Sequence, residues 1–275
     1  MTYLYSPFRY PGGKTWLVPH IRQWLASIPK PIYFIEPFAG GAIVGLTVAF
    51  EGLADKVVLV EKDEQVASVW NTIINDDGGA EWLATKINDF NLATDTAQFV
   101  ISDKPKNTRD LAFQTILQNR INHGGILADG AGILKNGEKG KGILSRWYPQ
   151  TLKKRILEIA RIRDNICFIE GDGVEVIREY SQNVNATLFI DPPYTASTKK
   201  AGTRLYKYHQ LDHNKLFQEV SLIKGDFLLT YDNAKEVRKL ARSFNLKYEM
   251  ISMRTTHHTT LSELLISKNL DWLTE

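Results

Sequence analysis

Four consecutive residues, Asp191-Pro192-Pro193-Tyr194, directly follow the apolar run 187–190 and have side chains that could carry out chemistry. Two successive prolines remove two backbone N–H donors and restrict the turn, so nearby carbonyl groups are left to accept hydrogen bonds. We expect the Asp191 carboxylate and the Pro192 carbonyl to form a rigid pair of acceptors beside the Tyr194 ring. Such a pair can hold a nucleobase amine while that amine attacks a methyl group. A turn that only closes a strand would explain the prolines, but not the acid before them or the aromatic residue after them.

A second candidate site is the segment Glu36-Pro37-Phe38-Ala39-Gly40-Gly41, between a predicted strand and a predicted helix. Glycines at this point allow the backbone to approach a ligand at the carboxyl end of the strand. Glu61 ends the next predicted strand about 20 residues later, which is the spacing of a carboxylate that accepts hydrogen bonds from ribose hydroxyls. A strand-to-helix turn without a ligand would explain the glycines alone. Together with Glu61, the pattern predicts a cofactor that contains adenosine.

The elements that must position these residues alternate between short apolar runs and helical patterns, which is typical of a parallel sheet with crossover helices. We predict an α/β fold with a doubly wound, Rossmann-like sheet that ends in an antiparallel hairpin. The predicted helices cover 43–50 and 64–74, the hairpin strands cover 248–253 and 261–267, and the other strands cover 32–35, 56–60, 166–169, 187–190 and 227–230.

The alternation is interrupted between about residues 78 and 148. This stretch contains helical patches at 81–90 and 110–119 and then a glycine-rich segment with several lysines, 123–142. Basic residues near aromatic ones suit a surface that contacts nucleic acid, although a solvated charged face has the same composition. We therefore predict two domains, a catalytic domain formed by 1–77 and 149–275 and an inserted, mostly helical domain formed by 78–148.

The composition excludes several classes of protein. Hydrophobic residues make up 43% of the 275 residues, which suffices for a globular core, and the net charge of +3 is only a weak indication of nucleic-acid binding. The single cysteine, Cys167, excludes a disulfide framework, and its apolar neighbours predict a buried thiol. Neither a membrane span, a signal peptide nor a metal site is indicated. We expect a monomer in the cytoplasm.

Three segments closely resemble the Dam-type DNA adenine-N6 methyltransferases: Phe8-Arg9-Tyr10-Pro11-Gly12-Gly13-Lys14, Glu36–Gly41 and Asp191–Tyr194. Their order is also that of the family, with the lysine motif first, then the cofactor loop, an inserted recognition domain and the catalytic segment. The run Leu261-Ser262-Glu263-Leu264-Leu265-Ile266 looks like the family's last strand. The resemblance implies a Rossmann-like methyltransferase fold, and methyl transfer from S-adenosylmethionine to a flipped adenine in double-stranded DNA.

The resemblance also implies roles for individual residues. Asp191 would lie between the cofactor and the target amine, and Tyr194 would stack on the flipped base. Tyr10 and Lys14 would contact the methionine part of the cofactor, and Asp172 would hydrogen-bond its adenine. The full set implied for S-adenosylmethionine is Tyr10, Lys14, Glu36, Pro37, Phe38, Ala39, Gly40, Gly41, Glu61, Asp172 and Asp191. Three residues depart from the usual pattern: Tyr10 replaces a tryptophan, Ala42 a third glycine and Glu61 an aspartate.

The inserted domain would contact the DNA, and the residues that we predict for this role are Arg120, Asn122, Lys139, Lys141 and Arg146. A bacterial or phage origin is expected, and a cognate restriction endonuclease encoded elsewhere is a candidate partner. Two alternatives stay open. The same acceptor geometry serves N4-cytosine methylation of DNA or amine methylation of RNA, and a catalytically silent DNA-binding protein could retain the fold.

Overall fold

The structure is a computed structural model. It describes residues 4–9, 13–128, 130–135, 140–193, 211–254 and 260–273. Three residues of the predicted sites, Tyr10, Lys139 and Tyr194, lie outside these ranges, so their roles stay predictions.

Seven strands in the described part of the chain form one sheet. They are Tyr33–Glu36 (β1), Lys56–Glu61 (β2), Ile166–Glu170 (β3), Ala186–Ile190 (β4), Asp226–Asp232 (β5), Lys247–Arg254 (β6) and Thr260–Ser267 (β7). Their order in the sheet is β3-β2-β1-β4-β5-β7-β6. The first five pair in parallel, whereas β7 pairs antiparallel with both β5 and β6. The predicted α/β sheet with a terminal antiparallel hairpin is confirmed.

The central strand, β4, shows why the apolar runs in the sequence become strands. All five of its residues are buried, because a parallel sheet is covered on both faces. Successive side chains enter opposite layers, with Phe189 in one core and Leu188 and Ile190 in the other. The strand therefore places the next residue, Asp191, at the carboxyl edge in the middle of the sheet.

Helices cover both faces of the sheet. Those in the described residues are Val18–Ala26 (α1), Ile43–Phe50 (α2), Glu64–Trp70 (α3), Gly79–Asp89 (α4), Thr94–Ser102 (α5), Thr108–Ile121 (α6), Pro149–Arg161 (α7), Gly173–Tyr180 (α8), His213–Ser221 (α9) and Lys235–Ser243 (α10). Helices α1 to α7 contribute to the core on one face, and α8 to α10 to the core on the other. Within the described ranges, none is both long and apolar enough to cross a lipid bilayer.

The helices differ from the prediction in two respects. The helix expected over 64–74 ends at Trp70 and continues as a π-helical turn, Asn71–Asn75. Helices α1, α5, α7, α8, α9 and α10 were not predicted. In α5, Ala97 is the one buried residue, so this segment lacks apolar periodicity. The predicted patches 81–90 and 110–119 are confirmed as α4 and α6.

Helices of the predicted insertion share a hydrophobic core with the sheet. Helix α4 packs against α7, and α6 packs against α3. Leu83 and Phe113 from the insertion belong to the same buried cluster as Phe168 and Leu228 from the strands. The role of 78–148 as a separate recognition domain stays a prediction.

The prediction of a buried thiol is wrong, because Cys167 is exposed. It lies on β3, which is an edge strand. Its neighbours Ile166 and Phe168 are buried, whereas the side chain between them points to the opposite face. Apolar neighbours along the chain therefore do not bury a residue at the edge of a sheet.

Candidate active site

A cavity of about 920 Å³ opens at the carboxyl ends of the parallel strands. Its lining includes every described residue of the predicted cofactor set: Lys14, Glu36, Pro37, Phe38, Ala39, Gly40, Gly41, Glu61, Asp172 and Asp191. Parallel strands end at the same edge of a sheet, so segments that are far apart in the chain meet there. The size is typical of a pocket for a small molecule or a cofactor.

The segment Glu36–Gly41 turns from β1 into α2 and is held by main-chain hydrogen bonds. The Ala39 N–H donates to the Val60 carbonyl at 2.9 Å, and Gly40 has a φ of 47°. Ala42, directly before α2, also has a positive φ, 51°. An alanine in this left-handed conformation costs roughly 1 kcal/mol or more. The residue that replaces the usual third glycine is therefore strained.

Glu36 is buried although it lines the cavity. Its Oε2 accepts a 2.7 Å hydrogen bond from the Gly45 N–H in the first turn of α2. A Cβ at position 45 would lie 2.6 Å from that oxygen, so the contact requires a glycine. Burial raises the pKa of Glu36 well above its usual value. This carboxyl group therefore suits fixing the loop to α2 better than carrying a charge.

Glu61, at the end of β2, orders the same loop. Its Oε2 accepts a hydrogen bond from the Gly40 N–H, and its Oε1 accepts from the N–H groups of Lys62 and Asp63, each at 2.8 Å. Burial raises the pKa of Glu61 to about 7 in spite of these donors. Each carboxylate oxygen can accept two hydrogen bonds, so Glu61 retains acceptor capacity toward a ligand.

Asp172 is the N-cap of α8 and lines the cavity together with the segment Glu36–Gly41. Its Oδ1 accepts from the Val174 N–H at 2.9 Å, and its Oδ2 pairs with the Lys62 ammonium at 2.8 Å. Partial burial would raise the pKa of Asp172, but Lys62 and the capped amide outweigh burial and lower it. A Cβ at Gly173 would lie 2.2 Å from the Pro37 carbonyl oxygen. Helix α8 thus begins in direct contact with the cofactor loop.

Lys14 connects the amino-terminal segment to the catalytic edge of the sheet. It begins a 3-10 helix, Lys14–Leu17, and is only 3% exposed. Its Nζ lies 3.1 Å from Asp191 Oδ1 and 3.3 Å from each carboxylate oxygen of Glu263. Burial alone would lower the pKa of Lys14, but these two carboxylates outweigh burial and raise it. Asp191 also accepts from Thr230 Oγ1 at 2.7 Å, so it is held from two sides at the cavity wall.

The same cavity has a positively charged wall formed by Arg9, Arg120, Arg146 and Arg155. Arg120 is buried, and its Nη2 donates to the Pro7 carbonyl. Burial and the positive charges of Arg155, Arg9 and Arg146 lower the pKa of Arg120 to about 9. Its Nε is buried without a hydrogen-bond partner. Such a concentration of positive charge favours an anionic ligand.

A comparison with models of protein families matches residues 10–255 to the D12 class N6 adenine-specific DNA methyltransferases. The chain belongs to this family. The resemblance inferred from the motifs is thus confirmed, and so is S-adenosylmethionine as the methyl donor. A comparison with curated proteins gives no significant match.

Solved structures similar to this D12-class methyltransferase have low sequence identity to it. An S-adenosylmethionine-dependent methyltransferase from Agrobacterium tumefaciens is 13% identical with a TM-score of 0.40, over 92% of this chain and 60% of that one. A putative RNA methyltransferase from Pyrococcus horikoshii is 11% identical with a TM-score of 0.41, over 96% and 87%. A precorrin-8w decarboxylase from Methanobacterium thermoautotrophicum is 12% identical with a TM-score of 0.39, over 95% and 94%.

The catalytic segment of the D12-class enzyme is described up to Pro193. Asp191 and Pro193 line the cavity, whereas Pro192 is buried and is not part of the lining. Tyr194 lies outside the described residues. Their roles in catalysis stay predictions.

The residues predicted to contact DNA are only partly brought together. Arg120 and Arg146 line the cavity. Asn122 is buried, and its Nδ2 donates to the Ile126 carbonyl at 2.8 Å. Lys141 is exposed and does not line the cavity. Contact between these residues and DNA stays a prediction.

Two residues that hold the site were missed at the level of sequence, Thr230 and Glu263. A threonine is ordinary in a strand, so Thr230 offered no signal. Glu263 did offer one, because a carboxylate stands inside the apolar run 261–266. Charged residues are rarely buried unless they are paired, so a partner could have been sought for it.

Proposed function

We propose that this enzyme methylates the N6 amine of an adenine in double-stranded DNA after that base has been flipped out of the helix. One observation carries the proposal: a single cavity joins the loop Glu36–Gly41 to Asp191 and to the arginine wall. The cofactor loop, a charged acceptor and a positively charged surface for a nucleotide therefore share one space. Membership of an adenine-specific family supports adenine as the target.

The residues around the loop suit S-adenosylmethionine. Oε2 of Glu61 has acceptor capacity for one ribose hydroxyl, and the Asp172 carboxylate can accept from the amine of the cofactor's adenine. Phe38 contributes an aromatic ring to the same lining. When bound, the cofactor supplies an activated methyl group, whose bond to sulfur breaks with its electron pair returning to sulfur.

Asp191 makes the target amine more nucleophilic. The lone pair of adenine N6 is delocalised into the ring, so the amine is a weak nucleophile. Hydrogen bonds from its two N–H groups to Asp191 and the Pro192 carbonyl draw the nitrogen toward a tetrahedral shape and localise that pair, which forms the new N–C bond. Asp191 then stabilises the positive charge on N6 and accepts the proton that leaves. The acceleration comes mainly from alignment and preorganised electrostatics.

The arginine wall provides a site for the DNA backbone. A base inside a duplex cannot reach a reactive group, so enzymes that modify bases extrude the target nucleotide into a pocket. A phosphate beside that nucleotide is an anion of the kind that a cluster of guanidinium groups binds.

Replacing Asp191 by alanine tests the proposal. We expect Asp191→Ala to fold and to bind S-adenosylmethionine, while methyl transfer falls by at least about a hundredfold, since an electrostatic partner of the reacting atom is lost. The assay is transfer of a tritiated methyl group to unmethylated DNA, followed by identification of the methylated base. The matched control is Asp226→Ala, because Asp226 is exposed at the opposite end of the neighbouring strand β5.

The product decides between the candidate functions. N6-methyladenine supports the proposal, whereas N4-methylcytosine or methylated RNA alone contradicts it. A protein that binds the cofactor and DNA but methylates nothing is catalytically silent. An Asp191→Ala variant with the wild-type rate contradicts the mechanism.

A further inference from the structure

Glu263 is a buried carboxylate directly before an apolar run in β7. Its neighbours Leu264, Leu265 and Ile266 are all fully buried, and Glu263 itself is 7% exposed. Both of its carboxylate oxygens lie 3.3 Å from Lys14 Nζ. The same ammonium lies 3.1 Å from Asp191 Oδ1. One cation is thus shared by two carboxylates, of which only Asp191 lines the cavity.

The charged groups around Glu263 influence the ionisation of its carboxyl group. In the antiparallel pairing, Asp232 of β5 and Ile251 of β6 lie opposite Glu263. Among the described residues, the titratable groups that act on Glu263 are Lys14, Asp191 and Asp232. Together with Glu263 itself, three acids therefore surround one base. Burial, with Asp191 and Asp232 nearby, raises the pKa of Glu263 to about 7 although Lys14 opposes the shift.

We propose that Glu263 is a positioning residue for methyl transfer: by sharing the Lys14 ammonium, it leaves Asp191 with enough negative charge to hold the target amine. This role rests on the proposed function of the site. With Glu263 ionised, Lys14 divides its charge between two carboxylates. With Glu263 protonated, Lys14 pairs with Asp191 alone and neutralises it as an acceptor.

The consequence concerns the charge that develops during the reaction. N6 gains a positive charge as its lone pair forms the bond to the methyl group, and then loses one proton to Asp191. An additional negative charge behind Lys14 favours that development, because charges interact strongly in a partly buried site. The rate should therefore rise with pH as Glu263 ionises, around pH 7. A carboxylate that only neutralised a buried lysine would not affect the pH profile of the chemical step.

The test compares wild-type protein with Glu263→Gln and Glu263→Asp in single-turnover methyl transfer between pH 6 and 9, with adenine-containing DNA and S-adenosylmethionine both saturating at every pH. We expect the wild-type rate to increase on the order of tenfold across this range. Glu263→Gln should stay at the low rate and lose the dependence, since its amide cannot ionise. Glu263→Asp keeps the charge and should restore the dependence. The matched control is Glu51→Gln, which removes a carboxylate paired with Arg22.

A second measurement needs no turnover. A carboxyl group whose pKa is raised on folding stabilises the folded state below its ordinary pKa, and this contribution is lost as pH rises through the raised value. Relative to Glu263→Gln, the wild-type protein should therefore lose stability to denaturant between pH 5 and pH 8. The comparison isolates Glu263, because Glu36 and Glu61 are present in both proteins.

The outcomes separate the two proposals. A wild-type protein that methylates no adenine contradicts the proposed function. Activity on adenine together with a Glu263→Gln variant that keeps the wild-type rate and pH profile overturns the positioning role alone. An unfolding difference that does not change between pH 5 and 8 overturns it as well, because Glu263 would then not titrate in the range where the rate is expected to change.

Discussion

At the scale of single residues, three carboxyl groups of the site have a raised pKa, and burial is the main cause for each. They differ in what faces them. Glu36 accepts from one backbone amide, Glu61 accepts from three, and Glu263 faces an ammonium group. These three buried carboxyl groups therefore suit different roles. Glu36 suits holding a helix, Glu61 suits accepting a hydrogen bond from a ligand, and Glu263 suits adjusting the charge of its neighbours.

Glu61 yields a prediction about cofactor affinity. Its ionised form is the better acceptor for a ribose hydroxyl, and its pKa is about 7, so the affinity for S-adenosylmethionine should increase as pH rises from 6 to 8.5. Glu61→Ala should bind roughly tenfold more weakly, the loss expected for hydrogen bonds to a charged group, and its affinity should no longer follow this titration. Calorimetry at several pH values measures both effects.

The control for Glu61 is the glutamate at the paired position of the adjacent strand β3. Glu170 lies opposite Glu61 in the pairing of β2 with β3, but it is exposed and does not line the cavity. Glu170→Ala should keep the wild-type affinity and its pH dependence. An unchanged affinity in Glu61→Ala would remove Glu61 from the site.

At the scale of elements, the start of α8 determines how closely a helix approaches the cofactor loop. Gly173 has no Cβ, and one built there would lie 2.2 Å from the Pro37 carbonyl oxygen. We expect Gly173→Ala to lower the free energy of unfolding by about 1–3 kcal/mol, because overpacking forces the backbone to shift. The affinity for S-adenosylmethionine should fall as well, since the displaced segment lines the cavity. Chemical denaturation and calorimetry measure the two effects.

Gly132→Ala is the matched control for this substitution. A Cβ there would be 3.7 Å from the nearest atom outside its chain neighbours, an ordinary contact with His123. Its stability should stay within about 0.5 kcal/mol of the wild-type value. Equal effects at both positions would show that the loss of glycine, and not the contact with the loop, is responsible.

At the scale of the whole molecule, charge is distributed unevenly. The net charge is only +3, yet four arginines line one cavity. DNA affinity should fall steeply with salt if this wall neutralises phosphates. Arg146→Ala should weaken binding and reduce the slope of log K against log salt by about 1. Fluorescence anisotropy at several salt concentrations measures the slope.

The comparison variant for Arg146 is Lys30→Ala. Lys30 is exposed, pairs with Asp55 and precedes β1, so it lies at the edge of the sheet opposite the cavity. Its removal changes the net charge by the same amount and should leave the slope unchanged. If both variants reduce the slope equally, only the total charge matters and the arginine wall has no special role.

The sheet, the terminal hairpin and the predicted cofactor residues that line the cavity could all be inferred from the amino-acid sequence. Apolar runs such as 187–190 specify strands because both faces of a parallel sheet are buried. Once Glu36–Gly41, Glu61 and Asp191 are placed after parallel strands, geometry alone puts them at one edge. Family membership likewise followed from three short motifs and their order. None of these inferences needs a contact between distant side chains.

The contacts that hold the site together become visible only in the folded protein. Lys14 and Glu263 are 249 positions apart, and they meet because β7 inserts between β5 and β6. The hairpin pattern in the sequence does not indicate which of its two strands pairs with the parallel part of the sheet. The strain at Ala42 and the exposure of Cys167 likewise depend on backbone angle and position in the sheet. Local periodicity indicates which face of a helix or strand is buried. The contact between Lys14 and Glu263 and the exposure of Cys167 depend instead on which elements lie next to each other in the fold.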